Sequence, residues 1–188
     1  MIKSYFDLQD LGANEEPVPV VFAVPSFNLG QHIKVQGSGG EGPAGSEVKA
    51  GDSAVLPLWA ATPLRRGGHV TVRTPTTYSL STFREFKTDS LAPSLRLKSP
   101  FFYEAGLRVC RLVGNTTAAG HMGPEGNRLA GQLHLLYQKR YLRIIHAAAK
   151  RGFDLNDIRD KLTDSERSLL DGFLREREQE KGWYASSI

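Results

Sequence analysis

Cysteine is almost missing from this 188-residue chain, which holds only Cys110. A single thiol excludes an intrachain disulfide and predicts a reducing compartment. It also leaves too few soft ligands for a cysteine-built zinc site. Long apolar runs are missing too: none approaches the ~20 residues that span a bilayer. The opening MIKSYFDLQDL lacks the charged-then-apolar order of a signal peptide. Together these absences predict a cytosolic or nuclear protein with no membrane partner. Blocks of one charge are absent as well. The net charge is +4, and the longest basic runs are the pairs Arg65-Arg66, Lys139-Arg140 and Lys150-Arg151. Such a charge permits nucleic-acid contact without implying it.

Recognisable reaction chemistry is also lacking. Gly37, Gly39 and Gly42 spell a literal G-x-G-x-x-G. That string holds a pyrophosphate only where it follows a strand and opens a helix, and here Pro43, Ala44 and Gly45 follow instead. No phosphate-binding G-x-x-x-x-G-K-[ST] or nucleophile-elbow G-x-S-x-G is present. The histidines, His32, His69, His121, His134 and His146, share no metal-ligand spacing. Cys110 sits in an apolar stretch and reads as a buried structural thiol. No catalytic, cofactor-binding or metal residue is assigned, no cofactor is expected, and nothing argues for an enzyme.

What is there is an α+β pattern: a small β-rich N-terminal domain over 1–77 followed by an α-helical domain over 78–188. VPVVFAV at 18–24 reads as a short buried strand fenced by prolines. Ile33 and Val35 alternate with polar neighbours, and so do Val70 and Val72 after the Gly67-Gly68 turn. AVLPLWAA at 54–61 is apolar and interrupted by Pro57. Residues 37–51 are Gly-rich and polar, and predict a loop. Helices are expected at 79–88 and at 99–113, the second with Ser99 as N-cap and Pro100 at its first position. After a linker at 114–126, a long helix is expected from Asn127 as cap to Gly152 as stop. Asp154 with Asp157, and Thr163 with Glu166, have the three-residue spacing of capping boxes. The last helix carries Leu169, Leu170, Phe173 and Leu174 on one face and ends in the charged run 175–181.

The long helix carries the main functional signal. At about 100° per residue, Leu129, Leu133, Leu136, Tyr137, Tyr141, Ile144, Ile145 and Ala148 cover one side. Leu135 and Leu142 lie nearly opposite, and Lys139, Arg143, His146 and Lys150 form a basic arc. A surface helix needs an apolar stripe only somewhat over about 100° wide. The excess predicts partner helices; the alternative is packing on the chain's own β-rich part. For the basic arc, a solvated or salt-bridged face is preferred to phosphate binding. A free-standing basic nucleic-acid-binding module is the alternative function.

Four segments in order resemble one family. They are YFDLQDLGANEEPVPVVF at 5–22, LPLWAA at 56–61, LRLKSPFFYEAG at 95–106 and LTDSERSLLDGF at 162–173. They are similar to the aromatic–acidic opening, the L-P-L-W/F-L-A signature, the L-x-x-x-x-P-x-F-Y-E-x-G block and the final helical motif of GINS proteins, and most of all to the third Psf (partner of Sld five) class of subunit. Ala61 departs from the second motif, where Leu is usual. The resemblance implies a B–A domain order and a nuclear, non-catalytic role. It implies assembly with three other GINS subunits, and through them with the MCM helicase ring and a RecJ-like partner in the active replicative helicase. Direct DNA contact is left open. The expected partner interface comprises Phe101, Phe102, Tyr103, Leu129, Leu133, Leu135, Leu136, Tyr137, Tyr141, Leu142, Ile144, Ile145, Leu169, Leu170 and Phe173. Leu56, Leu58 and Trp59 are expected to pack the two domains together.

Overall fold

A computed structural model describes residues 7–26, 29, 33, 35–36, 47–114, 122–150 and 155–186. The fold is α+β. Its described elements are α1 (Leu8–Asn14), β1 (Pro17–Phe22), β2 (Val35–Gln36), β3 (Ser53–Pro57), α2 (Leu58–Arg66), β4 (Val70–Val72), a 3-10 turn (Thr76–Tyr78), α3 (Leu80–Glu85), α4 (Phe102–Leu112), α5 (Pro124–Ala149), α6 (Asn156–Arg159) and α7 (Asp164–Ser186). The chain forms two units, Met1–Ser79 with Tyr103–Gly131, and Leu80–Phe102 with Gln132–Ile188.

The first unit contains an antiparallel sheet in the order β2-β3-β1-β4. VPVVFAV reads as one continuous buried run, but the strand stops at Phe22 and alternates. Val18, Val20 and Phe22 are buried, Val21 is half-buried and Val24 is exposed. Register explains the alternation. Val18 faces Leu56, Val20 faces Ala54 and Val72, and Phe22 faces Val70, so one face of the sheet collects all the core residues.

Two prolines in a central strand need an account, since proline offers no ladder N–H. Even-numbered residues of β1 bond toward β3: the Phe22 amide donates to Asp52 O, and Gly51 N–H donates to Phe22 O. Odd-numbered residues bond toward β4: Ala23 N–H donates to His69 O, and Arg73 N–H to Pro19 O. Pro17 and Pro19 are odd, and β4 ends at Val72 opposite Val20. Pro17 falls beyond the end of β4, and Pro19 still joins the ladder as an acceptor from Arg73, so only one reciprocal bond is forgone. Gly51, at φ 95°, makes the turn into β3. The expected Gly67-Gly68 turn is present, with Gly68 at φ 75°.

Two helix starts differ from the expectation. Helix α4 begins at Phe102, not at Ser99, and the Ser99 hydroxyl accepts from Phe101 N–H at 3.1 Å, just ahead of it. Helix α5 begins at Pro124, so Asn127 lies within it instead of capping it. Proline's fixed φ and missing N–H suit a first helical position, which outweighs the capping preference of Asn127. The side chain of Asn127 turns back to Met122 O at 3.4 Å. Within the same unit, Gly126 allows a close backbone approach. A Cβ built on it would lie 2.1 Å from Cys110 O of α4.

The second unit is organised by Arg140, which the structure buries completely. Its Nε–H donates to Glu166 Oε1 at 2.7 Å, and Nη2 donates to Glu166 Oε2 at 2.9 Å and Lys161 O at 3.3 Å. Nη1 donates to Ser90 O, and to Pro93 O at 3.5 Å. All five guanidinium N–H groups have acceptors. The Phe86 ring adds a cation–π contact at 6.0 Å. Glu166 also completes the expected capping box at the head of α7. It accepts from Thr163 N–H at 3.1 Å, and its own N–H donates to Thr163 Oγ1 at 3.3 Å. The other expected box cannot be compared, because Asp154 lies outside the described residues, and α6 has no side-chain cap. Ile144, Ala147, Ala148, Ile158, Leu162 and Leu170 form the adjoining apolar core. Arg177 closes it by donating to Ala148 O, near the end of α5.

Breaking one half of a buried ion pair leaves the other charge unmatched. Arg140→Ala and Glu166→Ala are each expected to cost about 3–5 kcal/mol in urea denaturation. The double variant should lose clearly less than the sum. The glycines give opposite signs. Gly126→Ala should destabilise by about 1–3 kcal/mol through overpacking. Gly131→Ala, with nothing within 4 Å of the new Cβ, should stabilise α5 by up to about 1 kcal/mol. Paired thermal melts would check both.

Candidate partner-binding faces of the long helix

Helix α5 buries one narrow stripe. Leu129, Leu133, Leu136, Arg140 and Ile144 are buried at steps of three and four residues, followed by Ala147 and Ala148. That is the stripe a single layer of contacts requires. Beside it run Tyr137, exposed, and Tyr141 and Ile145, both half-buried. The two tyrosine rings stack with centroids 6.0 Å apart and planes at 28°. On the far side Leu135 and Leu142, seven residues apart, are 58% and 57% exposed. The described residues therefore leave both leucines open.

The other expected contact residues separate by depth. Phe102, Tyr103 and Leu170 are buried, and Phe101, Leu169 and Phe173 are half-buried. Phe102 packs edge-on to Phe83 at 6.4 Å, and Phe173 packs against the core around Ile144. Leu56 and Leu58 are buried, while Trp59 is exposed. Lys139, Arg143, His146 and Lys150 are all exposed. Arg143 stands 3.5 Å from Asp89, a solvated pair of the weak kind. Arg143, His146 and Lys150 edge one groove of about 670 Å3 with Ala147 and Ile158 in its wall.

Two features escaped the sequence reading. In the sequence Arg140 stands out only as half of the basic pair Lys139-Arg140, yet it lies at the centre of the buried stripe. The signal was its position, four residues from both Leu136 and Ile144, where only a fully paired charge is tolerable. Helix α7 was expected to finish with the charged run at 181 but continues to Ser186. Trp183 and Tyr184 are exposed there, with ring centroids 5.0 Å apart in a T-shape. Glycine costs only about 1 kcal/mol in a helix, so Gly182 does not stop it.

Among the described residues no group of three or more His, Cys, Asp and Glu could hold a metal, and no helix is long and apolar enough to cross a membrane. The G-x-G-x-x-G string, His32 and His121 lie outside the described residues, as do Tyr5, Phe6 and most of the loop 37–51 and linker 114–126. His69, His134 and His146 are exposed. Cys110 is buried, and that burial pushes its thiol up to about 11. Burial likewise raises Tyr78 above the ordinary phenol range, with Glu16 adding to it.

No family model matches the chain. A relative in Dictyostelium discoideum, described as "Probable DNA replication complex GINS protein PSF3", is 26% identical over 168 residues. The match covers 89% of this chain and 56% of the relative, so the chain spans little more than half of that protein's length. The relative carries the family and the subunit class that the four sequence motifs resemble. As to Cys110, a protonated and enclosed thiol should not react with an aromatic disulfide reagent at pH 8 in the native chain. It should react fully in guanidinium. Because the folded thiol holds its proton to about 11 and a solvated thiol in the unfolded chain only to 9.0, stability should fall as pH rises across that interval. Thiol titration and denaturation at several pH values would check both.

Proposed function

We propose that this chain is the third Psf subunit of a GINS heterotetramer, a non-catalytic nuclear protein of DNA replication. In this reading residues 1–77 serve as the B domain and 78–188 as the A domain. Three other GINS subunits cover the open faces of α5. The tetramer in turn engages the MCM ring and a RecJ-like partner in the replicative helicase at the fork.

The observation that carries this reading is the pair Leu135 and Leu142. A helix that has already buried a complete stripe gains nothing inside its own chain from a second set of leucines. Burying them fully is worth about 1.5–3 kcal/mol each when they start exposed. The half-buried Tyr141 and Ile145 extend the apolar surface, and the relative described as a GINS protein supports the identity of the partners.

Co-expression with the three companion subunits should give a soluble 1:1:1:1 complex on size exclusion, while the chain alone should aggregate. Leu135→Asp with Leu142→Asp should abolish assembly, since each would bury an unpaired carboxylate. A double variant that assembles normally would show that this face is not an interface. Lys139→Glu with Arg143→Glu separates the alternative. A steeply salt-dependent DNA affinity of the isolated chain, lost in that variant, would favour a nucleic-acid-binding module.

A further inference from the structure

A second surface, wholly within the first unit, has the chemistry of an acceptor for acidic groups. The C-terminal turns of α2 and α4 come together there, and four arginines gather: Arg65, Arg66, Arg108 and Arg111. Two of them have structural work. Arg65 donates to Leu112 O at 3.3 Å and to Gly114 O at 2.6 Å, capping α4. Arg108 donates to Asp10 O at 3.0 Å and pairs with the Asp10 carboxylate, tying α1 to α4. Arg66 and Arg111 are exposed and have no ion pair or side-chain acceptor among the described residues. They edge a cleft of about 380 Å3 that also includes Leu58, Leu112, Thr62, Asn14 and the Asp10–Arg108 pair, in which the one carboxylate of the lining is already matched.

Helix dipoles explain part of this. A cation near a helix C-terminus is favourable, and each such end carries roughly half a negative charge. Four arginines set against Asp10 and two helix ends still leave about +2. The surplus sits on Arg66 and Arg111. A guanidinium is suited to bidentate capture of a carboxylate. The cleft between them has an apolar floor in Leu58 and Leu112, both buried. The Thr62 hydroxyl donates to Leu58 O at 2.7 Å, so its oxygen is left to accept a backbone N–H. Apolar floor, fork donors and a backbone acceptor suit a peptide with acidic residues on either side of an aliphatic one. A duplex backbone needs a broad basic surface with little apolar area, which this cleft is not.

We propose that the cleft between α2 and α4 binds an acidic segment of a partner protein, with Arg66 and Arg111 holding its carboxylates. This does not depend on which assembly the chain joins. The test uses the purified full chain, together with any subunits it needs for solubility, and fluorescence anisotropy of a labelled Glu-Glu-Leu-Glu-Glu peptide. The glutamate peptide should bind at least tenfold more tightly than its all-glutamine counterpart. Arg66→Glu with Arg111→Glu should remove at least tenfold of that affinity while leaving the thermal melt unchanged. Arg66→Lys with Arg111→Lys should retain part of it, since charge remains but the fork is lost. Equal binding of the two peptides, or an affinity unmoved by the charge reversal, would overturn the proposal. So would an oligothymidylate that binds at these two arginines in preference to the peptide. If the double charge reversal fails to fold, Arg66→Gln alone gives the same reading.

Discussion

A positive charge fully removed from water is the constraint around which the helical unit is arranged. Arg140 lies on the buried stripe of α5, where an unpaired guanidinium would be ruinous. Its acceptors come from four places: the carbonyls of Ser90 and Pro93, the carbonyl of Lys161, and the Glu166 carboxylate. Residues 86–101 have little regular structure, and yet their path is fixed because Ser90 and Pro93 must present oxygen to one side chain. Leu95 N–H, donating to Lys161 O at 3.1 Å, fastens the same segment to the turn before α7. Irregular backbone is thus held by a side chain where a sheet or helix would hold it by its own ladder.

Glu166 links this network to helix initiation. One carboxylate both neutralises Arg140 and accepts the Thr163 amide. The cap of α7 and the neutralised charge on α5 therefore depend on the same side chain. The apolar core around Ile144, Leu162 and Leu170 lies beside that pair, and its packing presupposes that the pair is formed.

Much of this was legible in the sequence, and the reasons are specific. The capping box at Thr163 and Glu166, the alternation at Val70 and Val72, and the Gly67-Gly68 turn all depend on near neighbours, so local rules suffice. The two open leucines of α5 were visible because helical periodicity is strong over a helix of 26 residues. The place of Arg140 on the stripe was visible, but the acceptors that permit its burial were not, since they are up to 50 positions away. Helix ends were shifted by two or three residues where Pro124 and the Ser99–Phe101 turn competed with other caps. The arginine cleft joins α1, α2 and α4 across nearly 100 positions, as the Asp10–Arg108 separation of 98 shows. No periodicity reaches that far.

The placement of Pro17 and Pro19 bears on aggregation. Beyond Arg73, which still bonds Pro19 O, the β4-facing side of β1 outlasts its partner, and unpaired stretches of sheet recruit strands from other molecules. Pro17, whose nitrogen faces that side, has no hydrogen for a visiting strand to accept. A chain that leaves Leu135 and Leu142 exposed is vulnerable to indiscriminate self-association. At that stretch an intruding strand finds no ladder donor, and the attraction left there is that of side-chain faces.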